Sequence, residues 1–174
     1  AGIEAGRMAV EHVRFGLTDL LSEMGALYET QARTRSIQWA LQVADDVPAI
    51  AVGDPGRVRQ VLGNLISNAL KFTPRGGQVQ VSASVQQAHG EKRRLLRLQV
   101  TDTGVGIAAR HQAAIFEAFT QADASTARRY GGSGLGLTIC AKLVRLMGGR
   151  IDLESALGAG STFTVTLPLL DDRD

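Results

Sequence analysis

The sequence predicts a two-layer α/β sandwich: a mixed, mostly antiparallel sheet of about five strands covered on one side by about three helices. Three observations predict it. Short segments alternate apolar and polar residues, as in Val79, Val81, Ala83 and Val85 or Leu96, Leu98 and Val100, so each strand has one apolar face. Longer segments space their apolar residues as a helical stripe. And 174 residues, 44% of them apolar and 21% charged, fill one substantial core but not two ordinary domains and a linker. Half-apolar sheets and helices bury those surfaces against each other.

The elements follow in order. Residues 1–14 read as a linker or the tail of a helix, because Gly2, Gly6 and scattered apolar residues leave no closed apolar face. Leu17, Leu20, Leu21, Met24, Leu27 and Tyr28 have helical spacing, with Thr18 and Asp19 in the first turn. Residues 37–43 alternate as a strand, Asp45 to Pro48 turn, and Ile50, Ala51 and Val52 form a short apolar run closed by Gly53. Asp54 followed by Pro55 is a helix start, and Pro74 limits that helix to about Phe72. The two alternating strands come next, joined by a charged hairpin connection at 89–94. A short helix is expected at 109–116, and a helix from about Leu135 to Met147 that Gly148 and Gly149 stop. Residues 151–154 and 162–167 make a second hairpin turned through Gly158 and Gly160, and Pro168 closes the last strand.

Composition narrows the function. Nineteen basic and seventeen acidic residues leave a formal charge of only +2, which is no footprint for nucleic acid. No apolar run approaches ~18 residues and no leader pattern opens the chain, so a soluble, cytosolic fragment without direct membrane contact is expected. The single cysteine, Cys140, lies in an apolar helical stretch and reads as a small core residue.

Three clusters carry chemistry. In 131–136 four glycines precede an apolar helix, so main-chain N–H groups can approach phosphate oxygens at a helix start; a glycine-rich lid without ligand is the alternative. The pattern is neither a P-loop nor a dinucleotide fingerprint. On the helix over 55–72, Val58, Val61, Leu62, Leu65, Ile66 and Ala69 share one side, while Asn64, Asn68 and Lys71, with Gln60, share the other. Amide oxygens suit Mg²⁺ and a lysine suits phosphate, although a solvated polar face would look the same. Asp102 shares strand parity with Leu96, Leu98 and Val100, which puts a carboxylate at the inner end of an apolar face, where it needs donors. The adenine exocyclic amine is one donor, with Gly104 and Gly106 letting the chain curl beneath the base; the Asp capping its own turn is the other reading. Together the clusters supply metal, base and phosphate contacts for one nucleotide.

The order and wording of these motifs resemble the catalytic, ATP-binding domain of bacterial sensor histidine kinases, of the superfamily that includes gyrase, Hsp90 and MutL. Residues 57–73 resemble its N box, 102–107 its first glycine box, 115–119 its F box, 128–137 its second glycine box, and 158–163 its last. The resemblance implies the Bergerat ATP-binding fold over 15–170, with 1–14 as the end of a dimerisation hairpin and 171–174 as a tail. It implies Mg²⁺ coordination by Asn68 with help from Asn64, and phosphate contacts from Lys71 and Arg128. Asp102 would read the adenine amine. Further nucleotide contacts would come from Gly104, Gly106, Ile107, Phe119, Tyr130, Gly132, Ser133, Gly134, Leu135, Gly136, Leu137 and Thr162. Asn64, Lys71 and Arg128 would serve catalysis.

ATP-hydrolysing relatives carry Glu where this chain has Asn64, and an amide cannot take a proton from water, which favours phosphoryl transfer to a protein nucleophile. The expected acceptor is a histidine on a separate dimerisation domain, and the expected downstream partner a receiver domain or response regulator; the wording of 119–123 is most similar to hybrid kinases. His12, His89 and His111 lack the acceptor's sequence context and read as surface residues. The fragment is expected to be monomeric. An ATP-hydrolysing enzyme and a nucleotide- or effector-binding regulatory module are the rival readings.

Overall fold

Alternation along the strands decides the architecture. In β5 (Arg94–Asp102) Leu96, Leu98, Val100 and Asp102 point one way and are buried, whereas Arg97 and Thr101 point the other way and are exposed. The structure is a computed structural model that describes residues 9–87, 94–108, 112 and 134–169.

In chain order the elements are β1 (Val13–Gly16), α1 (Leu17–Thr34), β2 (Gln38–Val43), β3 (Ile50–Gly53), α2 (Pro55–Phe72), β4 (Gln78–Gln87), β5, α3 (Gly134–Leu146), β6 (Arg150–Ser155) and β7 (Ser161–Leu169). Five strands form a sheet in the order β2-β4-β5-β7-β6. Every pair in it is antiparallel except β2 with β4, whose parallel alignment needs the long crossover that α2 provides. Among the described residues, α1, α2 and α3 pack on the inner face of this sheet, in agreement with the two-layer expectation. On the outer face polar side chains pair across the strands, Gln99 donating to Thr164 Oγ1 at 3.2 Å and Thr101 Oγ1 lying 3.2 Å from Thr162 Oγ1.

One element was not expected. Val13–Gly16, at the edge of the supposed linker, forms β1 and pairs antiparallel with β3, Val13 opposite Gly53 and Gly16 opposite Ile50. The boundary drawn after residue 14 therefore falls inside a strand. The short helix expected at 109–116 lies outside the described residues apart from Gln112.

α2 begins and ends where its sequence signals stand. Asp54 accepts the Arg57 N–H at 3.0 Å with Pro55 in the first turn, and Thr73 leaves helical geometry before Pro74. Its stripe Val58, Val61, Leu62, Leu65, Ile66 and Ala69 is buried against the sheet and the flanking helices. Asn64, Asn68 and Lys71 lie off that stripe, the two asparagines half-buried and Lys71 exposed.

Candidate functional site

Two segments meet at one end of the sandwich, the loop after β5 and the last turn of α2, and α3 docks on the middle of α2. The inward row of β5 ends on Asp102, which is 6% exposed and sits opposite Val79 on one side and Ser161 on the other. Asp102 Oδ1 accepts the Gly104 N–H at 2.8 Å, and the Ser161 backbone N–H donates to the same carboxylate. Burial raises the Asp102 pKa above the ordinary carboxylate value, and these two hydrogen bonds offset part of that rise. The carboxylate thus caps its own turn and is also held in an apolar setting.

Gly104 fits the loop against α2. A Cβ at this position would overlap the Phe72 carbonyl oxygen, and the next residue, Val105, donates its N–H to that carbonyl at 3.4 Å. The Asp102 loop is therefore joined to the end of the helix carrying Asn64, Asn68 and Lys71. Asn64 and Asn68 are half-buried and Lys71 is exposed. Such a set matches a magnesium nucleotide chemically: hard amide oxygens beside a cation, next to a buried acceptor.

The turn between β6 and β7 closes the loop from the other side. Gly106, at φ +74°, abuts the Ala156 carbonyl, and Gly158 donates its N–H to the Val105 carbonyl at 2.8 Å. Ser155 Oγ accepts the Ile107 N–H at 2.8 Å and donates to the Gly160 carbonyl at 2.8 Å, with Ser161 Oγ also 2.8 Å away. Gly104 and Gly106 accordingly serve close backbone packing of the loop, beyond the curl under a base expected for them.

α3 is docked on α2 through Cys140, which is fully buried as the sequence predicts. Its thiol donates to the Val61 carbonyl at 3.6 Å, and the Asn64 carboxamide hydrogen-bonds to the sulfur. Burial pushes the thiol up to about 11, with the Asn64 bond pulling partly the other way. At the start of α3, Gly134, Leu135 and Gly136 form the first turn, and Leu137, 7% exposed, belongs to the hydrophobic core.

Not every expected residue is here. Thr162 pairs with Thr101 on the outer face, the side of the sheet opposite Asp102, because strand parity gives the inner position to its neighbour. That neighbour, Ser161, and with it Ser155, was not singled out from the sequence; the inward parity of Phe163 was the available signal, but only the β5–β7 register places Ser161 beside Asp102. His12 is exposed and lines an open cleft with Phe15, Leu96, Leu146 and Met147, near the other end of β5. Phe119, Arg128, Tyr130, Gly132, Ser133, His89 and His111 lie outside the described residues.

Residues 53–171 match the family described as histidine kinase-, DNA gyrase B-, and HSP90-like ATPase. The chain belongs to this family. Within it, the domain is a catalytic domain of the sensor histidine kinase type. It is 41% identical to the hybrid signal transduction histidine kinase K of Dictyostelium discoideum, over 99% of this chain and 15% of that protein. To the sensor histidine kinase GacS of Pseudomonas protegens it is 40% identical, over 99% of this chain and 18% of the relative. Among solved structures, full-length ShkA in complex with AMPPNP superposes with a TM-score of 0.73 at 35% identity, covering 91% of this chain and 31% of that one. The kinase-type domain described here thus spans less than a quarter of the curated relatives it matches. Among the described residues, no helix is long and apolar enough to cross a membrane.

Proposed function

We propose that this domain binds Mg-ATP and donates the γ-phosphoryl group to a histidine on a separate dimerisation domain, in a signalling kinase that passes it on to a receiver domain or response regulator. The observation that supports this reading is the junction of the Asp102 loop with the end of α2 through Gly104 and Phe72, which seats the turn of a buried carboxylate against the helix that bears Asn64, Asn68 and Lys71. Asp102 accepts the adenine amine. Asn68 supplies an amide oxygen to the cation, Asn64 assists, and Lys71, exposed at the last turn of α2, reaches for phosphate. A bound Mg²⁺ contributes neutralisation of phosphate charge during transfer. Arg128, Phe119, Tyr130, Gly132 and Ser133 complete the phosphate side and the lid, with the first turn of α3 offering its N–H groups.

Asn64 directs the chemistry. An amide cannot act as a base toward water, so the domain positions ATP for a protein nucleophile and hydrolyses it slowly by itself.

The test is calorimetric titration with a non-hydrolysable ATP analogue, with and without Mg²⁺, beside Asp102→Asn and Asn68→Ala. Loss of affinity in Asp102→Asn and loss of the Mg²⁺-dependent part in Asn68→Ala are expected; full affinity in both overturns the assignment. Phosphorylation of an added histidine-bearing hairpin domain, with little phosphate release by the domain alone, then separates a kinase from an ATPase and from a purely regulatory module.

A further inference from the structure

Gln112 ties together two backbone segments beside the Asp102 loop. Its half-buried carboxamide donates from Nε2 to the Ile107 carbonyl at 2.9 Å and to the Ser155 carbonyl at 2.7 Å. A carboxamide nitrogen carries two N–H groups, and two carbonyl acceptors at these distances use both, which also decides which end of the side chain faces them. The Ile107 N–H is held by Ser155 Oγ at 2.8 Å, so both polar backbone groups of Ile107 are bound by side chains, one from the end of β6 and one from Gln112. The same Ser155 hydroxyl donates to the Gly160 carbonyl and lies 2.8 Å from Ser161 Oγ, and Ser161 gives its backbone N–H to Asp102. Gly160 in turn abuts the Asp102 carbonyl so closely that a Cβ would overlap it. A continuous set of contacts leads from Gln112 through the end of β6 to the strand end that carries Asp102.

We propose that Gln112 is a positioning residue for recognition of the base: by clamping Ile107 to the end of β6 it holds the turn from Gly104 to Ile107, and with it the Asp102 carboxylate, in the place that selects adenine. This rests on the adenine-reading role of Asp102 proposed above. The turn needs such a clamp. Gly104 and Gly106 give it close backbone approach but no side chains to anchor it, Gly106 stands at φ +74°, and Val105 is 59% exposed. Two backbone hydrogen bonds, the Val105 N–H to Phe72 at 3.4 Å and the Gly158 N–H to the Val105 carbonyl at 2.8 Å, fix Val105, and neither fixes Ile107. Ordering the long Gln112 side chain costs conformational entropy that its two hydrogen bonds offset, a cost that mere filling of space would not require. A carboxylate discriminates an amine only at hydrogen-bond distance and angle, so the turn's position translates directly into base preference.

The experiment reads base preference, which general loosening of the domain would not move. Wild type, Gln112→Met and Asp102→Asn are titrated in Mg²⁺ with the non-hydrolysable ATP analogue and with its inosine counterpart, which carries an oxygen in place of the exocyclic amine, and thermal unfolding is recorded for each. Gln112→Met keeps an unbranched chain of similar length and removes both N–H donors. The expected result is that it binds the adenine analogue about fivefold more weakly than wild type, the equivalent of one net hydrogen bond, and the inosine analogue within about twofold of wild type. A wild-type preference that Asp102→Asn abolishes and Gln112→Met leaves intact overturns the inference alone. Equal losses of both analogues in Gln112→Met also overturn it, because Gln112 would then act on the fold and not on the base. If wild type binds neither analogue, or if Asp102→Asn keeps the wild-type preference for adenine, the role of Asp102 falls, and this inference with it. Should Gln112→Met unfold well below the wild-type temperature, Gln112→Asn carries the test, since its carboxamide is one methylene too short to reach both carbonyls: a selective loss of the adenine analogue supports the positioning role, and wild-type preference contradicts it.

Discussion

The carbonyl of Phe72 and the backbone of Gly104 lie in direct contact, and through them the last turn of α2 is seated on the loop that follows Asp102. Phe72 O also receives the Val105 N–H, so no side chain fits between them. A Cβ at Gly104 would overlap that oxygen and lie 2.9 Å from Asp102 Oδ1. Gly104→Ala is therefore expected to destabilise the domain by about 2 kcal/mol, within the usual range for overpacking, and to lower the melting temperature by about 6 °C. Displacing Asp102 from α2 should also weaken nucleotide binding even where the variant remains folded. Thermal unfolding and analogue titration measure the two effects separately.

Asp102 opposes stability to function. Its pKa is raised mainly by burial, so the folded state holds the proton more tightly than the unfolded chain does. The stability this confers is present at low pH and is lost as pH rises from the ordinary carboxylate value through the raised folded one; at neutral pH the buried charge is a net cost. Asp102→Asn keeps an oxygen for the Gly104 N–H and removes the charge. The melting temperature of the nucleotide-free variant should equal or exceed that of wild type at pH 7, with the gap narrowing in acid, while adenine-nucleotide affinity is lost because an amide N–H then faces the amine. A variant markedly less stable than wild type at pH 7 would contradict the burial argument.

Asp54 joins two elements with one carboxylate. Oδ1 caps α2 at Arg57 N–H and Oδ2 accepts the Glu11 N–H, both at 3.0 Å. Asp54→Ala removes both bonds and should cost about 1.5 kcal/mol. Asp54→Asn retains an oxygen for the cap but offers an N–H to the Glu11 N–H, so faster hydrogen exchange at Glu11 is expected with most of the stability kept. Equal exchange at Glu11 in wild type and Asp54→Asn would remove the tether.

α1 ends on a residue that carries a backbone penalty. Ser36 has φ 56°, with its N–H on Arg33 O at 3.0 Å and the Ile37 N–H on Ala32 O at 2.9 Å, the paired closure of a helix that glycine usually completes. Ser36→Gly relieves the left-handed Cβ and should stabilise the domain by about 0.5 kcal/mol, whereas Ser36→Ala should not. Denaturant midpoints of the two variants check this.

What could be read from the sequence was what local chemistry dictates. α2 stands at Pro55–Phe72 because the Asp54 cap and Pro74 act within a few residues of its ends, and Asp102 is buried because alternation along β5 requires it. What could not be read depends on partners distant in the chain. Four residues of β1 show too little alternation to announce a strand, and their pairing is with β3 across the whole of α1. The parallel register that sets Gln38 opposite Gln78 has no local signal either. The two serines near Asp102 escaped for the same reason: Ser155 and Ser161 meet the Asp102 loop only once β5 and β7 are in register.

That register leads to the last prediction. Ser161 is 7% exposed, gives its backbone N–H to Asp102 and places Oγ 2.8 Å from Ser155 Oγ, which in turn holds Ile107 and Gly160. Thr162, one residue on, faces Thr101 across the outer side of the sheet. Ser161→Ala removes the hydroxyl that braces the loop, and a lost hydrogen bond of about 1 kcal/mol at the site corresponds to about fivefold weaker nucleotide binding. Thr162→Val changes a hydroxyl contact on the far face, so affinity should stay within about twofold of wild type. If the two results were reversed, with Thr162→Val the damaging change, the nucleotide would have to touch the outer side of β7, and the brace at Ser161 would not matter to binding.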